Sequence, residues 1–306
     1  MRFRPFLFTA AAAVQKDGVR LRMRCFKIHS EVNMKNVIIT GSAQGLGFEM
    51  AKEFRKYGFS VVLSDVNEGR LAEAAETLGR TGRSGRVISR KCDVTAMEDL
   101  ENLWQYAHET LGDIDIWVNN AGVNQPMVPV WELSQKQIDL LVDIDLRGAM
   151  YGCKTAISHM KEQGHGSVYC IEGFGADNAT QLGLTAYGAA KKGVQYLVRG
   201  LAKELEKTNT PVQIGRLNPG IMITDFITHP LGGSETMQLS ESTKKVYNIL
   251  GDRPDTVAKF LVKGMVRNVT EKKQDIYIAW LTKRKAAYRF MTAGFNKRDF
   301  FSETES

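Results

Sequence analysis

The chain has 306 residues, of which 43% are hydrophobic and 25% charged, a length and composition typical of one large globular α/β domain. The net charge of +7 lies at the two ends, because residues 1–33 carry a balance of +5 and residues 281–306 one of +3, so we expect no nucleic acid among the partners. No apolar run reaches the ~18 residues that span a bilayer, and the cysteines and histidines form neither a CxxC nor an HExxH pattern, so we expect no integral membrane segment and no metal site.

Residues 1–33 form an N-terminal extension that lacks the periodicity of the rest of the chain. Three interpretations are open: an Arg-rich transit peptide, a signal peptide with PFLFTAAAAV as its apolar region, or a segment that precedes the real start codon at Met34. The scattered cysteines are typical of a reducing compartment. We therefore predict a cytoplasmic protein, with a plastid as the alternative if the extension is a transit peptide.

From Asn36 onward, short β-branched apolar runs alternate with amphipathic stretches. The predicted strands are 36–40, 60–65, 86–93, 115–122, 166–171, 212–220 and 274–280. The predicted helices are 48–58, 67–79, 95–111, 134–161, 185–207 and 255–268. Continuous apolar strands separated by helices are typical of a parallel sheet covered on both faces. The sequence therefore predicts a single doubly wound α/β sheet of about seven strands over residues 34–280, followed by a tail over 281–306.

The turn between the first strand and the first helix reads TGSAQGLG. Glycines in such a turn let the backbone approach a pyrophosphate that sits at a helix N-terminus, although a glycine-rich turn is weak support by itself. The residues expected to hold a dinucleotide here are Gly41, Ser42, Gln44, Gly45, Leu46 and Gly47.

Asp65 ends the second strand, where a carboxylate accepts hydrogen bonds from the ribose hydroxyls and repels a 2′-phosphate. Gln44 stands where a basic side chain would hold that phosphate. Together they favour NAD(H) over NADP(H), and the nearby Arg70 weakens this preference.

Six motifs follow one another along the chain: TGSAQGLG (40–47), Asp65, CDV (92–94), NNAG (119–122), YGAAK (187–191) and PGIMIT (219–224). In order and spacing they resemble the short-chain dehydrogenase/reductase family over residues 35 to about 280.

This resemblance implies a Rossmann-like fold and a set of cofactor contacts. Asp93 and Val94 would hold the adenine. Asn120, Ala121 and Gly122 would line the cofactor cleft, whereas Asn119 would tie the sheet together. Pro219, Gly220 and Thr224 would receive the nicotinamide carboxamide. The resemblance also implies a homodimer or homotetramer formed through the two long helices.

Tyr187 and Lys191 lie four residues apart on a predicted helix, so their side chains share one face about 5–6 Å apart at Cβ. A phenol has an ordinary pKa near ~10, and a neighbouring ammonium, together with the charge of the oxidised nicotinamide, favours the phenolate. We predict that Tyr187 exchanges a proton with a carbonyl or alcohol oxygen while hydride moves to or from the nicotinamide. Lys191 activates this phenol and holds the nicotinamide ribose.

The family resemblance also implies a serine after strand five and an asparagine in the long central helix, and the chain departs from both. The serine position falls at Glu172 or Gly173, and the asparagine position at Asp145. Asp145 can accept a hydrogen bond from a water that leads to Lys191, and its charge would keep Lys191 protonated. We expect Glu172 to be a loop residue that faces solvent rather than a second acid.

Loss of one donor to the substrate oxygen typically lowers the rate by about 10²–10³. The candidates to replace the serine are Asn178, Thr180, Thr185 and the backbone N–H groups of 173–175.

A glycine-rich loop without the serine also makes the chain look like the chlorophyll b reductases. Further likeness lies in IDIWVNNAG (114–122), LTAYGAAKKG (184–193), KELEKTN (203–209) and RPDTVAKFLVKGM (253–265). That subgroup reduces a formyl group to a hydroxymethyl group, and an aromatic formyl group is an easy hydride acceptor that suits a weak oxyanion site. Asp145 departs even from this subgroup, so the likeness supports a bulky carbonyl substrate more than chlorophyll itself.

Residues 221–252 are expected to close over the substrate, with a Gly-Gly pair at 232–233 suited to a mobile lid. Met222, Phe226, Ile227 and Leu231 either line an apolar pocket or pack the lid. The tail interleaves basic and aromatic residues. It could rest on a membrane surface or on a large hydrophobic ligand. The alternatives are that it contacts a partner subunit or is a loose, solvated tail.

The sequence thus predicts an NAD(P)(H)-dependent oxidoreductase that acts on a bulky small-molecule carbonyl or alcohol. The alternative is a dinucleotide-binding protein whose chemistry has decayed and which acts by interaction.

Overall fold

The structure, a computed structural model of the chain, describes residues 35–81, 84–176, 180–228, 230–232 and 239–301. The N-terminal extension lies outside these residues, as does Asn178.

A seven-stranded parallel sheet forms the centre of the described chain, in the order β3-β2-β1-β4-β5-β6-β7. Its strands are β1 Asn36–Thr40, β2 Ser60–Asp65, β3 Val87–Lys91, β4 Ile116–Asn119, β5 Ser167–Ile171, β6 Gln213–Asn218 and β7 Ile276–Ala279. This confirms the predicted doubly wound fold. The order reverses between β1 and β4, and ligands of such sheets bind at that point, outside the carboxyl ends of the strands.

Helices cover both faces of the sheet. They are α1 Gly45–Lys56, α2 Glu68–Gly79, α3 Met97–Leu111, α4 Gln135–Val142, α5 Gly148–Gln163, α6 Thr185–Lys207, α7 Asp225–Thr228, α8 Glu241–Leu250, α9 Pro254–Glu271 and α10 Lys283–Thr292. Alternate residues of β1 point to opposite faces, so that Val37 and Ile39 join one buried apolar cluster and Ile38 joins the other. Burial on both sides explains why the strands are continuously apolar.

The predicted central helix over 134–161 is interrupted. Helix α4 starts with a capping box, in which Ser134 accepts from the Gln137 N–H and the Gln137 side chain accepts from the Ser134 N–H. A π-helical turn, Asp143–Arg147, separates α4 from α5. Single π-helical turns inside α-helices are frequent at functional sites. Here the turn carries the buried Asp145.

Three helices lie where the sequence predicted none, α7 and α8 in the lid region and α10 in the tail. Helices α8 and α10 contact each other. Asp252, which follows α8, joins the lid region to the tail because it pairs with Arg289 at 2.6 Å and with Arg298 at 3.2 Å. Within the described part of the chain, no helix combines the length and apolarity needed to cross a membrane.

Candidate active site

A cleft of about 1090 Å³ opens at the carboxyl ends of the strands, at the point where the strand order reverses. Most of the predicted site residues line it. These are Gly41, Gln44, Gly45, Leu46, Asp65, Asp93, Val94, Asn120, Ala121, Gly122, Tyr187, Lys191, Pro219, Gly220 and Thr224. Ser42, Gly47 and Asp145 are the predicted residues that stand behind the lining.

The first turn fits the close approach of a dinucleotide backbone. Gly41 has a φ of +60°, and a Cβ there would lie 2.7 Å from the Cα of Ala121. The Asn120 amide donates to the carbonyl oxygens of Thr40 at 2.9 Å and Gly41 at 2.8 Å, which fixes the turn to the end of β4. The turn is therefore a rigid cradle that tolerates no side chain at Gly41.

Ser42 and Gly47 shape this cradle from behind. The Ser42 hydroxyl is buried and donates to the Ile39 carbonyl at 2.7 Å. A Cβ at Gly47 would lie 2.5 Å from the Gly41 carbonyl oxygen. Both residues thus pack the cradle in place, and the cofactor contacts predicted for them stay a prediction.

The end of the cleft predicted to receive the adenosine ribose contains a carboxylate and a guanidinium. Asp65 accepts from the N–H of Ala43 at 3.3 Å and of Asn67 at 3.0 Å. Arg70 also lines the cleft, and it donates to the side-chain oxygen of Gln44 at 2.7 Å. One group disfavours a 2′-phosphate and the other attracts it.

Asp93, which the family resemblance assigns to the adenine, is held by Thr95, whose N–H and hydroxyl donate to one carboxylate oxygen at 2.9 and 2.7 Å. Val94 packs so closely on α5 that a Cβ at Gly148 would lie 2.9 Å from its methyl group. These contacts fix the end of β3 against the cleft.

Gln125 positions the start of α6, and sequence reasoning missed it. Its buried amide accepts from the Tyr187 N–H at 2.8 Å and donates to the Gly183 carbonyl at 2.6 Å. It therefore ties the loop before α6 to the tyrosine. No sequence signal marks it, because Gln125 and Tyr187 are 62 residues apart.

Asp145 and Lys191 form a direct ion pair beneath Tyr187. The Lys191 ammonium lies 2.5 Å from Asp145 Oδ1, and both side chains are buried. The other carboxylate oxygen accepts from the Val123 N–H at 3.1 Å. Gly122 permits this approach, since a Cβ there would lie 2.7 Å from Asp145 Oδ1. The carboxylate bonds directly to Lys191, where the sequence predicted a water between them.

This pair changes the expected proton affinities. Burial lowers the pKa of Lys191, but the Asp145 carboxylate and the Tyr187 phenol outweigh burial and raise it overall. For Asp145, burial has the opposite effect and raises the pKa, although the Lys191 ammonium partly offsets this rise. Lys191 therefore stays charged, as the sequence predicted.

The pKa of Tyr187 moves in the direction opposite to the one expected. Burial raises it to about 12, Lys191 only partly offsets the shift, and Asp145 adds to it. The Lys191 ammonium lies 5.5 Å from the centre of the Tyr187 ring, but its charge is paired. Lys191 thus lowers the pKa of Tyr187 as predicted, but burial outweighs this effect, and the contribution expected from the charge of the oxidised nicotinamide stays a prediction.

Gly173, rather than Glu172, occupies the position facing the tyrosine. A Cβ at Gly173 would overlap the Tyr187 hydroxyl oxygen, so the hydroxyl fills the space that a serine side chain would need. Glu172 is buried and lies 3.4 Å from Arg216 on β6. The prediction that Glu172 faces solvent is wrong, because Glu172 is buried and the half-buried Arg216 on the neighbouring strand compensates its charge.

Side chains proposed to replace the serine do not converge on the cleft. Thr180 and Thr185 are exposed and do not belong to the lining, and Asn178 lies outside the described residues. The predicted backbone alternative, 173–175, does reach the cleft, because Gly173 and Phe174 belong to its lining.

The far end of the cleft is apolar and aromatic. Met222, Phe226 and Ile227 line it as predicted, and the Phe226 ring centre is 6.0 Å from that of Tyr187. Leu231 packs behind, against the cluster that contains Tyr187. Tyr247, on the unpredicted helix α8, also lines this end. The arrangement can receive a large flat or apolar molecule next to the phenol.

Comparisons with known proteins agree with this geometry. The family described as "short chain dehydrogenase" matches residues 35–230. The chain is 33% identical over 261 residues to chlorophyll(ide) b reductase NOL, chloroplastic, of Oryza sativa subsp. japonica, with 84% of this chain and 74% of that one covered. It is also 33% identical over 256 residues to the protein of the same name from Arabidopsis thaliana, with 82% and 71% covered.

Solved structures share the fold. Levodione reductase matches with a TM-score of 0.72 and 24% identity, over 83% of this chain and 98% of that one. An alcohol dehydrogenase from the archaeon Thermococcus sibiricus, complexed with 5-hydroxy-NADP, matches with a TM-score of 0.67 and 23% identity, over 80% and 96%.

The chain belongs to the short chain dehydrogenase family. It is an oxidoreductase that acts between alcohol and carbonyl groups with a nicotinamide dinucleotide.

Proposed function

We propose that the protein reduces an aromatic formyl or similar carbonyl group on a bulky, largely apolar substrate, with Tyr187 as the proton donor. The observation that carries this proposal is the buried Tyr187, which lines the cleft between the glycine cradle on one side and the apolar end on the other. A dinucleotide fits the cradle because a Cβ at Gly41 would meet the backbone of Ala121. The dinucleotide, when bound, supplies the hydride.

The proton affinity of Tyr187 favours the reductive direction. A phenol whose pKa is raised to about 12 keeps its proton at neutral pH, so it is ready to give that proton to the carbonyl oxygen as the carbon accepts hydride. The Lys191 ammonium then stabilises the phenolate that is left. Oxidation would have to start from the phenolate, which is scarce at neutral pH.

Because the serine hydroxyl that would donate to the substrate oxygen is missing, an easily reduced carbonyl is the more suitable substrate. Gly173 faces Tyr187 and carries no hydroxyl, and loss of one such donor typically lowers a rate by about 10²–10³. A formyl group conjugated to an aromatic ring accepts hydride more readily than a ketone. The names of the relatives, chlorophyll(ide) b reductases, support a formyl-bearing chlorin as the first substrate to test.

A matched set of variants tests this function. The assay follows the absorbance of NADH and NADPH with aromatic aldehydes and chlorophyllide b, and chlorophyllide a serves as the control pigment without the formyl group. We expect turnover by the wild type and at least about a 10²-fold loss in Tyr187→Phe. Tyr196→Phe is the control, since this tyrosine is on the same helix but 81% exposed. Equal activity of Tyr187→Phe and wild type would refute the proposal.

The second candidate function is a dinucleotide-binding protein that has lost its chemistry. The absence of the serine favours it, whereas the buried Lys191–Asp145 pair next to Tyr187 favours an enzyme. Binding of NADH by calorimetry without turnover of any aldehyde or pigment in the set would select this second function.

We further propose that NAD(H) is preferred to NADP(H), because Asp65 lies at the ribose end of the cleft. The test compares kcat/KM for the two cofactors. Asp65→Asn should raise kcat/KM for NADPH above that of the wild type. Arg70→Ala should lower kcat/KM for NADPH below that of the wild type. If the wild type prefers NADPH, the proposal is wrong, and Arg70 rather than Asp65 determines the cofactor preference.

We also propose a homodimer or homotetramer, which sedimentation of the purified chain tests. For localisation, the word "chloroplastic" in the relatives' names supports a plastid rather than the cytoplasm. Import of the full chain into isolated chloroplasts, compared with a chain that starts at Met34, tests this. If neither chain is imported into the chloroplasts, a cytoplasmic location is favoured.

A further inference from the structure

Helix α10 presents apolar side chains to solvent and a charged one to the protein. Arg289 faces inward, where its guanidinium donates to the Asp252 carboxylate at 2.6 and 3.0 Å and to the Leu250 carbonyl at 2.9 Å. Tyr288 is 60% and Met291 74% exposed, and Phe295, in the turn after the helix, is 92% exposed. Surface helices normally bury their apolar side chains. Such an inverted helix marks a contact surface.

Basic side chains surround this apolar group. Lys283, Arg284 and Lys297 are exposed. Between Asp275 and Asp299 the sequence contains no aspartate or glutamate. The surface formed by Tyr288, Met291, Phe295, Lys283, Arg284 and Lys297, called here the tail face, is therefore both apolar and positively charged.

We propose that the tail face docks on the surface of a bilayer that contains anionic lipids. Aromatic and apolar side chains enter the boundary between headgroups and acyl chains, while lysine and arginine are attracted to the anionic headgroups. A second copy of the chain is a poorer occupant, because a twofold contact places the same patch on both sides. It would bring the basic side chains of the two copies together.

The tail face is connected to the substrate end of the cleft. Asp252 pairs with Arg289 and Arg298 of the tail, and it follows helix α8, whose Tyr247 lines the cleft. Docking would therefore hold the apolar end of the cleft near the bilayer, where a bulky apolar substrate dissolves. This last link rests on the proposed function, whereas docking itself does not.

Vesicle co-sedimentation of the full chain tests the proposal. We expect the protein to sediment with vesicles of phosphatidylcholine mixed with phosphatidylserine and not with phosphatidylcholine alone. Binding should fall as salt is raised to about 1 M, where charges are screened beyond roughly 3 Å. The double variants Lys283→Glu/Arg284→Glu and Met291→Ser/Phe295→Ser should each lose about tenfold or more in vesicle affinity.

Two substitutions elsewhere serve as controls. Lys203→Glu removes an exposed charge from α6, and Trp131→Ser removes a side chain that is 81% exposed; neither should change binding. Several results would overturn the proposal: no sedimentation with either vesicle, equal sedimentation with both, or unaltered binding by the tail variants. If the tail variants instead lower the molar mass in vesicle-free light scattering, the occupant is a second copy. Turnover of a water-soluble aldehyde by the tail variants separates failed docking from failed catalysis.

Discussion

Replacing Asp145 by asparagine tests how the buried ion pair sets the proton affinity of Tyr187. In the native chain, the carboxylate 2.5 Å from the Lys191 ammonium cancels much of that positive charge. Asparagine keeps the size and an oxygen that accepts a hydrogen bond from Lys191, but it removes the negative charge. We therefore expect the pKa of Tyr187 to fall from its raised value of about 12.

The geometry gives the size of this shift. The Lys191 ammonium lies 5.5 Å from the Tyr187 ring centre. At that distance a unit charge contributes about 3 kcal/mol at an effective dielectric constant of about 20. One pKa unit corresponds to about 1.4 kcal/mol. If no carboxylate cancelled the Lys191 charge, that charge would therefore lower the pKa of Tyr187 by about 2 units. Because Lys191 already lowers the pKa of Tyr187 in part, the expected shift is about 1 to 2 units.

The assay is the pH profile of kcat/KM for alcohol oxidation, which reports groups of the free enzyme. Oxidation needs the phenolate, so its rate should rise with pH in the native enzyme and continue to rise above pH ~10. In Asp145→Asn the profile should reach its plateau about 1 to 2 pH units earlier. Reduction needs the protonated phenol, so its rate should begin to fall at a correspondingly lower pH.

Asp139→Asn is the matched control, because Asp139 is exposed on the neighbouring helix α4 and lies outside the cleft lining. Its profile should overlay that of the native enzyme. If Asp145→Asn also overlays the native profile, the ion pair does not set the proton affinity of Tyr187. A shift to higher pH would mean that Lys191 loses its charge without the carboxylate, which equally refutes the reasoning.

Three further substitutions have defined outcomes. Gly173→Ser should lower kcat by roughly tenfold or more instead of restoring a missing donor, since its Cβ would displace the Tyr187 hydroxyl; steady-state kinetics measure this. Arg216→Met leaves Glu172 buried without its ion-pair partner and should lower the free energy of unfolding in urea by roughly 3–5 kcal/mol at neutral pH. Burial raises the pKa of Glu172, so this loss should shrink as pH falls through that raised pKa and the carboxyl becomes neutral. Gly41→Ala should weaken NADH binding by roughly tenfold or more in calorimetry, because φ is +60° and the cradle has no room for a Cβ.

Gly200→Ala on α6 is the control for both glycine substitutions, because a Cβ at Gly200 meets no atom within 4 Å. It should leave binding and kcat unchanged. A fully active Gly173→Ser would show that the tyrosine hydroxyl moves aside easily. If Arg216→Met is as stable as the native chain, the ion pair does not stabilise the buried Glu172. If Gly41→Ala binds NADH as tightly as the native chain, the cradle does have room for a Cβ.

Local patterns were sufficient to predict the sheet and the first glycine turn, whereas most other residues of the cleft were implied by the family resemblance. A buried parallel strand needs continuous apolar residues, and each helix needs an apolar face, so both leave a periodic signal. The first glycine turn is likewise local, because Gly41 must adopt a positive φ wherever the fold places it. Helix α10 escaped prediction because its apolar side chains face solvent and its inward contact is made by Arg289.

The sequence by itself determined the doubly wound sheet, the glycine turn and the placing of Tyr187 and Lys191 on one helix face, because the pattern that marks each lies within a short stretch of chain. The tertiary structure decided which charges are buried and how they are paired. Asp145 reaches Lys191 from 46 residues away, and Glu172 finds Arg216 on the neighbouring strand. The proton affinity of a phenol depends on how deeply it is buried and on which charges surround it, and only the folded chain brings these together.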